Sequence, residues 1–133
     1  MKKVVFIMLF LFTLLIFNGC SEKTYVLSRS VNEIECVEIV LAENSFEYEV
    51  VKTLSEAEKD SFLEQLLTIE FDRYYIGDPM SINGTAIKIT YQNGDYEMIC
   101  HYWAEYVRDG EAYSIRRSCD VDEFNELLNN FYK

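Results

Sequence analysis

The sequence predicts an α+β domain, an antiparallel sheet of about five to six strands with two helices packed on one face, in the order β-β-α-β-β-β-β-α. Three observations carry that expectation. Alternating β-branched and aromatic runs recur between positions 31 and 119. Asn93-Gly94 and Asp109-Gly110 each lie between two such runs, the composition of two-residue hairpin turns. Two segments with helix-capping residues at their starts carry apolar residues at helical spacing instead.

The run 31–42 (VNEIECVEIVLA) places Val37, Ile39 and Leu41 on one side of a strand. Glu43-Asn44-Ser45 is a turn, and 46–53 returns with Phe46, Tyr48 and Val50 alternating against Glu47 and Glu49, completing a hairpin. Ser55 and Glu58 then make an S-x-x-E capping box, and Phe62, Leu63, Leu66 and Leu67 form one helical face. Ile69, Phe71 and Tyr75 suggest a short strand, followed by a loop over 77–84 that contains the single proline. Strands at 85–91 and 95–107 flank Asn93-Gly94, and a strand at 111–119 follows Asp109-Gly110.

Two-residue turns at both sites set Tyr91 opposite Tyr96, Ile89 opposite Met98, Tyr106 opposite Tyr113 and Trp103 opposite Arg116. The core face then collects Ile87, Ile89, Tyr91, Tyr96, Met98, Cys100, Tyr102, Tyr106, Tyr113 and Ile115. The outward face collects Lys88, Thr90, Glu97, Ile99, His101, Trp103, Glu105, Ser114, Arg116 and Ser118. A final helix starts at an Asp120 N-cap with Glu123 at its third position, and aligns Val121, Phe124, Leu127, Leu128 and Phe131.

The amino terminus reads as an address. Lys2 and Lys3 precede an apolar run of fourteen residues, 4–17, broken only by Thr13. Fourteen helical residues rise about 21 Å, short of the ~30 Å hydrocarbon core of a bilayer. The order, basic then apolar, is that of a secretory signal peptide. Phe17-Asn18-Gly19-Cys20 resembles the lipobox of bacterial lipoproteins, and the resemblance implies cleavage after Gly19 and lipidation of Cys20; Phe17 departs from the leucine usual there. Residues 1–19 are thus expected to be a signal peptide, 20–30 a lipidated cysteine and polar tether, and 31–133 one α+β domain. The second half of the chain (GDP…GTAIKITYQNGDYEMI…YSIRRSCDVDEFNELL) also resembles small lipoproteins of Gram-positive bacteria with no assigned activity, which implies no site.

Charge narrows the function. The chain has 12 Lys+Arg against 23 Asp+Glu, a net charge of −11; without Lys2 and Lys3 the balance is 10 against 23, or −13. Nucleic-acid affinity comes from cationic side chains on phosphates, so no nucleic acid is expected. Chemistry is equally sparse. His101 and Cys100 are strand neighbours and point to opposite faces, which denies them a dyad. One histidine and no Cys-x-x-Cys leave zinc without ligands, and Asp120, Asp122 and Glu123 suit a helix start better than a calcium site. No catalytic residue, metal or cofactor is assigned.

With Cys20 acylated, three cysteines remain. The second hairpin sets Cys100 opposite Cys119, a spacing that a disulfide can bridge in an oxidising compartment, although Cys36 could partner either or all three could stay reduced as small apolar groups. For binding, Ile99, His101, Trp103 and Arg116 would form an aromatic and cationic patch on the outward sheet face, against the alternatives that the tether or a loop covers it or that Trp103 and Arg116 simply stabilise the strand pair. Met80 and Ile82 make the 77–84 loop a second candidate contact surface. The chain is therefore expected to be exported, anchored by lipid to the outer face of the cell membrane, and to act as a non-catalytic binding module for a protein partner. The alternative is a small acidic inhibitor or immunity-type protein that blocks a basic exported enzyme.

Overall fold

A computed structural model describes residues 24–71, 81–116 and 118–132, with the backbone alone at Arg116. Its strands are β1 (Ile34–Ala42), β2 (Tyr48–Thr53), β3 (Gly84–Tyr91), β4 (Tyr96–Cys100), β5 (Trp103–Arg108) and β6 (Glu111–Arg116). They form one antiparallel sheet in the order β2-β1-β3-β4-β5-β6. Helix α1 (Glu56–Leu66) follows β2 and helix α2 (Val121–Phe131) closes the chain. The fold is the expected α+β arrangement, with the expected order of strands and helices.

Both helices start as their sequences dictate. Ser55 accepts from Glu58 N at 3.3 Å while the Glu58 carboxylate accepts from Ser55 N at 2.9 Å, a closed capping box. Asp120 Oδ1 accepts from the backbone N–H groups of Asp122 and Glu123 at 2.9 and 3.1 Å. Phe62, Leu63 and Leu66 of α1 and Phe124, Leu127, Leu128 and Phe131 of α2 are buried against Val37, Ile39, Ile87, Ile89 and Ile99 on one face of the sheet. The Phe62 and Phe131 rings meet edge-on, 5.2 Å between centroids, where the helices touch.

The sheet differs from the sequence expectation in two elements. The long strand expected over 95–107 is two strands, β4 and β5, joined by His101-Tyr102, with Cys100 opposite Trp103. The short strand expected after Thr68 is, among the described residues, a single bridge between Glu70 and Thr24; its Tyr75 lies outside them.

The Asn93-Gly94 turn also differs. Tyr91 N donates to Asp95 O at 2.8 Å and Gly94 N to Tyr91 O at 2.9 Å, with Gly94 at φ +91°. That is a three-residue loop with a bulged glycine in place of a two-residue turn. The extra residue shifts the pairing by one, so Ile89 faces Glu97 and Ile87 faces Ile99. A one-residue slip turns every side chain of a strand over. Glu97 and Ile99 therefore point into the helix-side core, and Tyr96, Met98 and Cys100 point away from it. The Asp109-Gly110 turn has positive φ at both residues (54° and 77°), and Tyr106 faces Tyr113 as expected. A bulge between Ala104 and Glu105 then moves Ala104 opposite Arg116.

Residues 24–30, expected as tether, belong to the domain from Thr24 onward. Tyr25 is 2% exposed, donates its backbone N–H to Ile69 O at 3.1 Å, and meets Phe71 edge-on at 4.9 Å. Its hydroxyl and the Ser28 N–H both donate to the buried Glu97 carboxylate, which also accepts from the Tyr91 hydroxyl at 2.6 Å. Ser30 caps a single 3-10 turn (Val31–Glu33) that leads into β1.

Candidate functional site

The sheet face away from the helices is the one expected to be open to solvent, and it is half covered. Val40, Ala42, Ile82, Ala86, Met98, Cys100 and Trp103 form a second apolar cluster there, flanked by Tyr48, Tyr96 and Tyr102. Two chain segments close over it. Tyr102 Oη accepts from Asn83 N at 2.7 Å and donates toward the Ser81 and Asn83 carbonyls at 3.1 and 3.0 Å, pinning 81–83. The Tyr96 hydroxyl donates to Ser45 O at 2.6 Å, pulling the turn between β1 and β2 across the sheet.

This cover corrects the predicted patch. Trp103 is 1% exposed, Ile99 is wholly buried through the register shift, and His101 is half-buried in the β4–β5 turn with its ring 5.0 Å from that of Tyr102. The Arg116 side chain lies outside the described residues. Of the predicted contact loop, Ile82 is fully buried in the second cluster, within the 81–83 segment that Tyr102 pins, and Met80 lies outside the described residues. Cys20 also lies outside them.

Among the described residues Cys36, Cys100 and Cys119 are free thiols. The Cys100–Cys119 pair fails because Cys100 joins the cluster away from the helices, its Sγ donating to Trp103 O at 3.2 Å, while Cys119 packs against the helix-side core. Burial first, then the neighbouring Cys100, Glu123 and Asp120, pushes the Cys119 thiol up to about 12; burial likewise raises Cys100.

Sequence reasoning missed two buried acids, one on each face. Glu97 is held by Tyr25, Ser28 and Tyr91, and burial, followed by the Glu97 charge, raises the Tyr91 hydroxyl, keeping it a donor. Glu105, on β5 and 7% exposed, accepts from Trp103 Nε1 at 3.0 Å and from the Ser45 hydroxyl. Trp103 and Glu105 share a face because they are two residues apart on one strand. Ser45 arrives through the β1–β2 turn, where Asn44 Oδ1 accepts from Phe46 N and Glu47 N at 2.8 and 2.9 Å. That turn leaves Phe46 51% exposed beside the inward-pointing Ser45.

Glu105 stands on the wall of an open groove of about 570 Å³, formed by residues 44–46, Ser81 and the chain from Gly110 to Tyr113. Glu111 lies at its margin, its carboxylate accepting from the Tyr113 hydroxyl at 2.6 Å, and Arg108 stacks over the Tyr113 ring at 5.7 Å. Nearby, Lys88 pairs with Glu38 at 3.2 Å and sits over the rings of Tyr48 and Tyr96 at 4.7 and 5.1 Å. Burial alone lowers an ammonium group, but Tyr48 and Glu38 outweigh it and raise Lys88. Its charge is thereby committed to Glu38.

Chemically, Glu105 is an acceptor between two neutral donors, which suits recognition of a donor or a cation. Among the described residues no cluster of His, Cys, Asp and Glu is placed to hold a metal ion, and no helix is long and apolar enough to cross a membrane. The chain matches no protein-family model, no curated protein and no solved structure.

Proposed function

We propose that the chain is a lipid-anchored, extracytoplasmic binding module without catalytic activity, held through Cys20 on the outer face of the cell membrane and engaging a protein partner. The basic-then-apolar start and the lipobox-like Phe17-Asn18-Gly19-Cys20 support the address. The observation that carries the binding role is the open groove with Phe46 exposed at its rim and a buried carboxylate in its wall. An exposed aromatic ring at a concavity is a common anchor for partner side chains. Tyr25, locked into the core, follows Cys20 by five residues, a reach of at most about 17 Å. The module would therefore work close to the membrane.

Two measurements test this. Intact mass of protein extracted from bacterial membranes should match Cys20 to Lys133 plus a diacylglyceryl group; a mass retaining residues 1–19 removes the lipoprotein reading. A photoreactive residue in place of Phe46 should cross-link to one discrete species on native membranes, and one in place of exposed Glu64 on α1 should not. Equal labelling from both positions removes the groove as the binding surface.

The net charge of −13 without Lys2 and Lys3 favours a second reading, an acidic inhibitor or immunity-type protein acting on a basic exported enzyme. Its association rate would fall steeply with added salt, and a salt-independent rate excludes it.

A further inference from the structure

We infer that the groove beside Glu105 receives an arginine side chain from a basic protein segment, a conclusion that rests on the binding-module reading and names its partner's chemistry. A carboxylate can accept about four hydrogen bonds, and Glu105 uses two, from Ser45 and Trp103. Both donors are neutral. Among the described side chains no cation pairs with Glu105, although a buried charge is costly unless a countercharge meets it. Among the described side chains, Lys88 is engaged by Glu38, and Arg108 by the Tyr113 ring and Asp109.

Phe46 completes the site. Its exposed ring at the rim suits the flat guanidinium, which stacks on aromatic faces while its N–H fork reaches a carboxylate. A lysine ammonium offers no planar fork and stacks less well. The groove volume of about 570 Å³ lies within the roughly 300–1,000 Å³ of ligand clefts. The charge of −13 without Lys2 and Lys3 draws a basic partner toward the chain.

Trp103 is the single tryptophan, and its indole N–H sits on the Glu105 carboxylate, so its emission reports on the site. The full lipidated chain in an uncharged detergent is titrated with hexaarginine, with hexalysine and with hexaglutamine. Hexaarginine should change Trp103 emission saturably and bind more tightly than hexalysine, with hexaglutamine silent. Glu105→Gln should weaken hexaarginine by about tenfold or more. Glu64→Gln combined with Glu126→Gln, which removes charge from the exposed helix surfaces, should change affinity less than about twofold.

Phe46→Ala guards against loss of folding in Glu105→Gln, since Phe46 is exposed; it should weaken hexaarginine severalfold with an unchanged melting curve. Equal weakening by all charge-removing variants, or an unaltered affinity in Phe46→Ala, overturns the inference. So does the absence of any saturable emission change. If a Phe46 cross-link on native membranes persists in that case, the module reading stands and only the arginine assignment falls.

Discussion

Removal of residues 21–30 tests whether the segment after Cys20 is a leash or part of the fold. A chain beginning at Val31 loses Tyr25, a fully buried ring worth about 2–3 kcal/mol of burial. It also strips Glu97 of the Tyr25 hydroxyl and the Ser28 N–H, each bond to a charged group contributing about 1.5–3 kcal/mol. The sum is about 5–9 kcal/mol, and water entering beside Glu97 returns part of it, leaving at least about 4 kcal/mol. For a domain of about 110 residues the unfolding entropy near the midpoint is about 0.23 kcal/mol/K, so the melting temperature should fall by about 17 °C or more. Circular dichroism melts of chains starting at Ser21 and at Val31 make the comparison, with Tyr25→Phe as an intermediate case near 2 kcal/mol, or about 9 °C. If the shorter chain melts within about 3 °C of the longer, the reasoning about Glu97 is wrong.

Trp103→Ala should destabilise by about 3–5 kcal/mol, since the indole is fully buried, and Trp103→Phe by about 1–3 kcal/mol through loss of its bond to Glu105; denaturant melts that leave both variants at wild-type stability would restore the exposed-patch picture. The Lys52 ammonium, 2.8 Å away, and the Ser55 N–H lower the Glu58 carboxyl to about 2. Its stabilising contribution is therefore present above the ordinary value near 4.5 and lost as pH falls from there toward 2, and Glu58→Gln should flatten that part of the stability–pH curve. An unchanged acid limb in the variant would assign the dependence elsewhere. Cys119, raised to about 12, should alkylate at pH 8 more than about a hundredfold more slowly than in the unfolded chain, and buried Cys100 should also be slowed, read by mass after timed iodoacetamide exposure. Rapid labelling of either thiol in folded protein would contradict the burial of Cys100 and the partial burial of Cys119.

What proved legible in the sequence was local. Ser55 with Glu58, and Asp120 with the first turn of α2, satisfy N–H groups within three residues, so no distant contact is needed to read them. Asp109-Gly110 admits positive φ at both positions and yields the expected turn. The order of strands and helices followed from such signals together with hydrophobic period.

The tertiary structure decided the rest, because the remaining choices are close in local energy and distant contacts select among them. Asn93-Gly94 is compatible with a two-residue or a three-residue loop, and that one residue determines whether Glu97 meets solvent or Tyr25 and Tyr91. His101-Tyr102 has no turn composition, yet it turns because Cys119 N donates to His101 O at 2.7 Å and Tyr102 grips the 81–83 segment. Trp103 and Glu105 lie on the face away from the helices, as their alternation implied. Whether that face is open surface or a second core depends on Ser45 and Ile82, which reach it from 60 and roughly 20 positions away in sequence. Alternation along a strand specifies which side a residue takes, and only the packed chain specifies what lies on that side.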